Sequence, residues 1–127
     1  MSNFVLDASA ILALLNQEEG AEVVFQHLAG GIISTVNLAE VITRLKLIGM
    51  QEKEINNAIG LLGLDIVVYD EDQAYSTGFL ATQTHPFGLS LGDRACLALA
   101  LLTKSQVLTA DRAWTQINLP VHIQIIR

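Results

Sequence analysis

The sequence predicts an α/β protein, a three-layer α/β/α sandwich with a central parallel sheet. Short apolar runs alternate with longer segments of helical period, and those runs are too uniformly apolar for a sheet with one wet face. Capping and turn residues stand at the boundaries between them. The chain has 127 residues, of which 51% are hydrophobic and 16% charged. That is enough apolar material for one globular domain, residues 1–127, and it excludes a disordered tail.

The first strand is 3–6, ended by Asp7, and 8–15 follows as an apolar helix of good helix formers. Residues 18–28 repeat apolar positions at helical spacing (Ala21, Val24, Phe25, Leu28), and Gly30 and Gly31 stop that helix before a strand at 32–34. Ser34 or Thr35 caps the next helix, whose stripe is Leu38, Val41, Ile42, Leu45 and Ile48, closed by Gly49. A further helix, 52–62, ends at Gly63. The β-branched and aromatic run 66–69 predicts a strand, 70–83 a helix and 85–88 a loop. Ser90 opens a helix over 91–103 that is apolar nearly all round. Strands at 106–109 and 121–126 flank a short helical turn at 111–116. No repeat, linker or low-complexity segment interrupts this order.

The net charge of −6 disfavours a generic basic nucleic-acid binder. The longest apolar run, 95–102, is far short of the roughly 18 residues that span a bilayer. No basic segment precedes an early apolar stretch, since the first Lys or Arg is Arg44. A cytoplasmic protein without a signal peptide is therefore expected. One cysteine, Cys96, forms no intrachain disulfide and fits a reducing compartment. His27, His85 and His122 lack metal-ligand spacing, no phosphate-cradling glycine motif occurs, and Cys96 and Trp114 read as core.

Ligand sites of open parallel sheets gather beyond the carboxyl ends of the strands. Asp7 stands there after the first strand and Asp111 after the strand ending at Thr109; helix capping alone explains either one. Glu40 lies on the 35–48 helix away from its apolar stripe, where an i,i+4 pair with Arg44 also accounts for it. Asp93 shares a stripe with Cys96, Leu97 and Ala100, yet Ser90 and Asp93 also form a capping box. Four carboxylates on one rim repel one another unless a cation neutralises them, and hard oxygen donors select Mg²⁺ or Mn²⁺. Such a centre suits phosphodiester hydrolysis. Arg44, Arg94 and Arg112 each lie within four residues of one of these acids, so convergence creates a mixed-charge site, with Arg94 and Arg112 expected at the substrate.

Together Val5-Leu6-Asp7-Ala8-Ser9-Ala10, Ser34-Thr35-Val36-Asn37-Leu38-Ala39-Glu40-Val41, Leu89-Ser90-Leu91-Gly92-Asp93-Arg94 and Leu108-Thr109-Ala110-Asp111-Arg112-Ala113-Trp114 resemble, in order, the four acidic motifs of the PIN-domain ribonuclease family, especially the VapC-type toxins. The resemblance spans essentially the whole chain. It implies an endoribonuclease dependent on Mg²⁺ or Mn²⁺, with Asp7, Glu40, Asp93 and Asp111 as catalytic and metal-ligating acids and Ser9 and Thr109 as supporting hydroxyls. It also implies a homodimer acting on RNA and held in check by a small antitoxin. Some members carry a further acid where Ala113 and Trp114 stand here, which bears on whether one or two metals bind. Three alternatives stay open: a receiver-like Mg²⁺-binding signalling domain, a PIN-domain RNA-processing nuclease that is not a toxin, and a catalytically silent interaction module, which the presence of all four acids disfavours. A receiver should carry a Lys after its fifth strand, whereas Lys104 precedes the strand at 106–109.

Overall fold

The computed structural model of the chain describes residues 3–127. Five strands, β1 (Phe4–Leu6), β2 (Ile32–Ser34), β3 (Asp65–Val67), β4 (Gln106–Thr109) and β5 (Ile123–Ile125), form one all-parallel sheet in the order β3-β2-β1-β4-β5. Seven helices connect them: α1 (Ala8–Leu15), α2 (Ala21–Gln26), α3 (Thr35–Leu47), α4 (Glu52–Leu62), α5 (Glu71–Phe79), α6 (Ala81–Thr84) and α7 (Leu91–Thr103).

Successive strand residues point to opposite faces, and the two cores follow that alternation. Phe4, Leu6, Ile33 and Leu108 pack with α1 to α4 through Ile11, Val24, Val41, Leu45 and Ile55. Val5, Ile32 and Val107 pack on the other face with Cys96, Leu97 and Leu99 of α7, and with Leu80 and Trp114. The expected α/β/α sandwich is the observed architecture. The chain leaves β1 toward β2 and β3 and later returns through α7 to insert β4 on the other side of β1. The direction of strand addition thus reverses between β1 and β4, which opens a crevice at their carboxyl ends.

The departures from expectation have local causes. The helix expected over 18–28 is only α2, because Gly20 (φ 94°) turns the chain immediately before it. The strand expected at 66–69 starts one residue earlier, and it is an edge strand: Asp65 and Ile66 are exposed, so the two-sided cover stops short of it. The helix expected over 70–83 breaks at Leu80 into α5 and the single turn α6, and the expected loop at 85–88 holds a 3₁₀ turn around Pro86. The last strand is half the expected length. On α3 the buried face is Asn37, Val41 and Leu45, whereas Ile42 and Ile48 of the expected stripe are exposed. An i, i+4, i+8 row is one face of a helix, and here its first member is an amide.

Candidate active site

Strand register builds the floor of the crevice. Leu6 pairs with Leu108, and the Asp7 amide donates to the Leu108 carbonyl at 3.2 Å, so Asp7 and Thr109 end side by side. Asp7 also caps α1: its Oδ1 accepts from the Ala10 amide at 2.9 Å and from Ser9 Oγ at 2.7 Å. Its Oδ2 accepts from Thr109 Oγ1 at 2.6 Å. Each hydroxyl spends its one proton on Asp7 and uses a lone pair on the loop that follows β4. Ser9 Oγ accepts from the Ala110 amide at 2.9 Å and Thr109 Oγ1 from the Asp111 amide at 3.1 Å. Two hydroxyls therefore hold both oxygens of Asp7 and fix the start of the Asp111 loop. Asp111 in turn caps the 3₁₀ turn Arg112–Gln116 through Oδ1 and the Ala113 amide at 3.0 Å.

Asp7 is only 4% exposed. Burial raises its pKa to about 6; the hydrogen bonds from Thr109, Ser9 and the Ala10 amide pull the other way, and the Asp93 charge adds to the rise. Beneath the acids, Cys96 is fully buried, and desolvation together with the charges of Asp7, Asp93 and Glu40 holds its thiol well above the usual range. It is an inert core thiol, as expected.

Glu40 and Asp93 approach from opposite sides of the sheet. The capping box at the start of α7 is present in both directions: the Ser90 amide donates to Asp93 Oδ2 at 3.0 Å and the Asp93 amide to Ser90 Oγ at 3.2 Å. Glu40 makes no ion pair with Arg44, against the i,i+4 alternative. Asn37 Nδ2 donates to Glu40 Oε1 at 2.7 Å and to the Gly92 carbonyl at 3.0 Å, which turns Glu40 toward α7. Gly92 makes room for this, since a Cβ there would overlap both Glu40 oxygens.

Asp7, Glu40, Asp93 and Asp111 all line one open cleft of about 950 Å³, together with Ser9, Glu18, Arg44 and Arg127. Among the described residues, no three carboxylate, imidazole or thiol groups are drawn together into a finished coordination shell. The donors still fit a hard divalent cation: they are all oxygen, and the buried Asp7 carboxylate has an uncompensated charge beside Asp93. Such ions keep several waters, so carboxylates spread around an open cleft suit them.

The two arginines expected at the substrate do not line this cleft. Arg94 follows Asp93 by one residue and is rotated about 100° around α7, so its Nη1 reaches the Thr77 carbonyl on α5 at 3.3 Å. Arg112 Nε donates to the Arg127 carbonyl at 2.9 Å. The cleft cations are Arg44, with no ion-pair or hydrogen-bond partner among the described residues, and Arg127, whose Nη1 binds Glu18 Oε1 and the Glu19 carbonyl, both at 3.0 Å. Arg127, Glu18, Asn37 and Gly92 escaped sequence reasoning. The one available signal was Asn37 at i−3 from Glu40, a spacing that lets their side chains meet on a helix.

Comparison with known proteins bears on the fold and the family. Solved structures share the fold: a toxin–antitoxin complex from Klebsiella pneumoniae (19% identity, 98% of each chain, TM-score 0.75), a DNA-bound VapBC from Salmonella typhimurium (23%, 100% of each chain, 0.74) and VapBC-1 from nontypeable Haemophilus influenzae (21%, 97% of each chain, 0.72). Comparison with curated protein sequences gives no significant match. The sequence model of the PIN domain matches residues 4–119, a span that takes in β1 to β4, all four acidic segments and the 3₁₀ turn after Asp111. The chain belongs to the PIN domain family.

Proposed function

We propose that the protein is a Mg²⁺- or Mn²⁺-dependent endoribonuclease, acting as the toxin of a type II toxin–antitoxin pair. The observation that carries this reading is the meeting of four acids, from four separate segments of the chain, in one cleft at the β1–β4 switch point. Membership of the PIN domain family and structural neighbours described as toxin–antitoxin and VapBC complexes support it.

In this reading Asp7, Glu40, Asp93 and Asp111 would hold the cation, and the scissile phosphate would be held through that cation rather than by the carboxylates themselves. A divalent cation held there would supply Lewis acidity, activating water and neutralising phosphate charge. Ser9 and Thr109 keep Asp7 in one orientation. Arg44 and Arg127 put positive charge on the walls of a cleft whose protein is otherwise acidic, where flanking phosphates of RNA would lie. The partner is a small antitoxin whose basic segment enters the same cleft, by charge complementarity. A second copy of the chain completes the reading: Tyr75 and Phe79 of α5, with ring centroids 6.1 Å apart, are 60% and 75% exposed, the kind of apolar surface that self-association covers. The reaction belongs in the cytoplasm. No helix among the described residues is long and apolar enough to cross a membrane.

The receiver-like alternative loses support, because Asp70 caps α5 away from the cleft lining and Lys104 caps α7 ahead of β4. The test is cleavage of single-stranded RNA by purified protein in Mn²⁺ and in EDTA. Cutting in Mn²⁺ alone is expected; cutting that persists fully in chelator would overturn the mechanism. Co-purification from the native host separates toxin from processing nuclease, with a small basic-tailed partner expected for the toxin.

A further inference from the structure

Asn37 is 1% exposed in the first turn of α3, and its side chain is only partly satisfied. Both hydrogens of Nδ2 are used, on Glu40 Oε1 and on the Gly92 carbonyl. Both of those groups are acceptors, so the amide cannot be reversed without setting Oδ1 against a carboxylate and a carbonyl. Held this way, Oδ1 is buried without a partner. An unpartnered buried carbonyl is a cost to folding that an apolar side chain of similar size would avoid. What the amide provides instead is a clip across 55 residues of sequence. It ties the Glu40 carboxylate to the turn of α7 that carries Asp93, in a gap that exists because Gly92 has no Cβ. With Oε1 engaged, Oε2 is the Glu40 oxygen left for a ligand.

We infer that Asn37 is a positioning residue that sets Glu40 against Asp93 and presents Glu40 Oε2 to a divalent cation. The inference rests on the metal-dependent reading above. Partners of this kind, which orient a ligating carboxylate from behind, change metal affinity by about 10- to 100-fold when lost.

The experiment measures Mn²⁺ binding by paramagnetic resonance of the free ion up to millimolar concentration, alongside thermal melts in EDTA and RNA cleavage. It compares wild type, Asn37→Leu, Glu40→Gln and the double variant. Asn37→Leu should melt within a few degrees of wild type in EDTA, bind Mn²⁺ about tenfold more weakly or worse, and need correspondingly more Mn²⁺ to cut RNA. In the Glu40→Gln background the same change should leave the residual affinity unaltered, as coupling through one partner requires. Wild-type affinity in Asn37→Leu overturns the inference while wild-type cleavage keeps the nuclease reading. An equal loss with and without the Glu40 carboxylate also overturns it. Should Asn37→Leu not fold, Asn37→Ser carries the same comparison. Wild type that binds Mn²⁺ yet cuts no RNA overturns the nuclease reading and leaves the Asn37 comparison to be decided on binding alone.

Discussion

Thr109 Oγ1 donates to Asp7 Oδ2 at 2.6 Å and accepts from the Asp111 amide at 3.1 Å, so one hydroxyl joins the carboxylate at the end of β1 to the backbone of Asp111 after β4. Removing it in Thr109→Val leaves the buried Asp7 oxygen and the Asp111 amide without this partner. Stability should fall by about 1–3 kcal/mol. Losing a bond that favours the charged form raises the Asp7 pKa further, so the acid limb of the cleavage profile should move to higher pH. Thr109→Ser keeps the hydroxyl and should restore both. A pH–rate profile unchanged in Thr109→Val would show that Asp7 does not need it.

The raised pKa of Asp7 has its own signature in metal-free protein. The folded state holds the proton up to about pH 6, the unfolded chain only to about 3.8. Between those values the folded state binds more protons, so the Asp7 contribution to stability is full below the lower value and is lost as pH rises through the upper one. The loss is on the order of 3 kcal/mol. Asp7→Asn carries no such charge. In EDTA its unfolding free energy, taken relative to wild type, should rise between pH 4 and pH 7, and denaturant titrations at those two values measure it. Its RNA cleavage should vanish.

Asp93 has two jobs that a single substitution separates. Asn can still accept the Ser90 amide, so the cap survives and only the charge at the start of α7 is lost, worth about 0.3–1 kcal/mol. Relief of the repulsion with Asp7 offsets this. Asp93→Asn should therefore melt close to wild type in EDTA while Mn²⁺ binding and cleavage collapse. Wild-type cleavage would reduce Asp93 to a cap.

Gly92→Ala should uncouple fold from function in the same direction. The helix gains about 1 kcal/mol of propensity from Ala, while the new Cβ pushes the Glu40 carboxylate from its seat. Metal-free stability should change little, and cleavage at limiting Mn²⁺ should fall about tenfold or more. Equal activity at every Mn²⁺ concentration would mean that the seat is irrelevant.

The layer order and the places of Asp7 and Asp111 were legible because strand ends in a parallel sheet share one rim, and apolar strand runs show where they end. Glu40 and Asp93 were legible as charges on helix faces, though which neighbour each would choose was not. Glu40 takes the Asn37 amide rather than the Arg44 guanidinium, since the amide is buried and anchored on α7 whereas Arg44 is an exposed residue of the cleft wall. Asn37 itself was hidden by its polarity: the apolar stripe was drawn through Ile42 and Ile48, which point outward, and so was rotated from the true buried row. Arg94 and Arg112 were expected in the cleft because they sit beside acids in sequence. One residue along a helix or tight turn is enough to send a long side chain elsewhere. Arg127 reaches the cleft through the sheet order, which sets β5 beyond β4, and no local pattern reports that.

Strand β1 is made before its neighbour β4, and the hydroxyl that orients Asp7 lies 102 residues downstream of it. Loop closure over that distance is slow and has nothing to close onto until β4 is synthesised. Until then β1 has only β2 to pair with, and Asp7 lies beside neither Thr109 nor Asp111. The acid cleft therefore does not exist on a nascent chain until β4 has emerged, however early Asp7 and Glu40 are made.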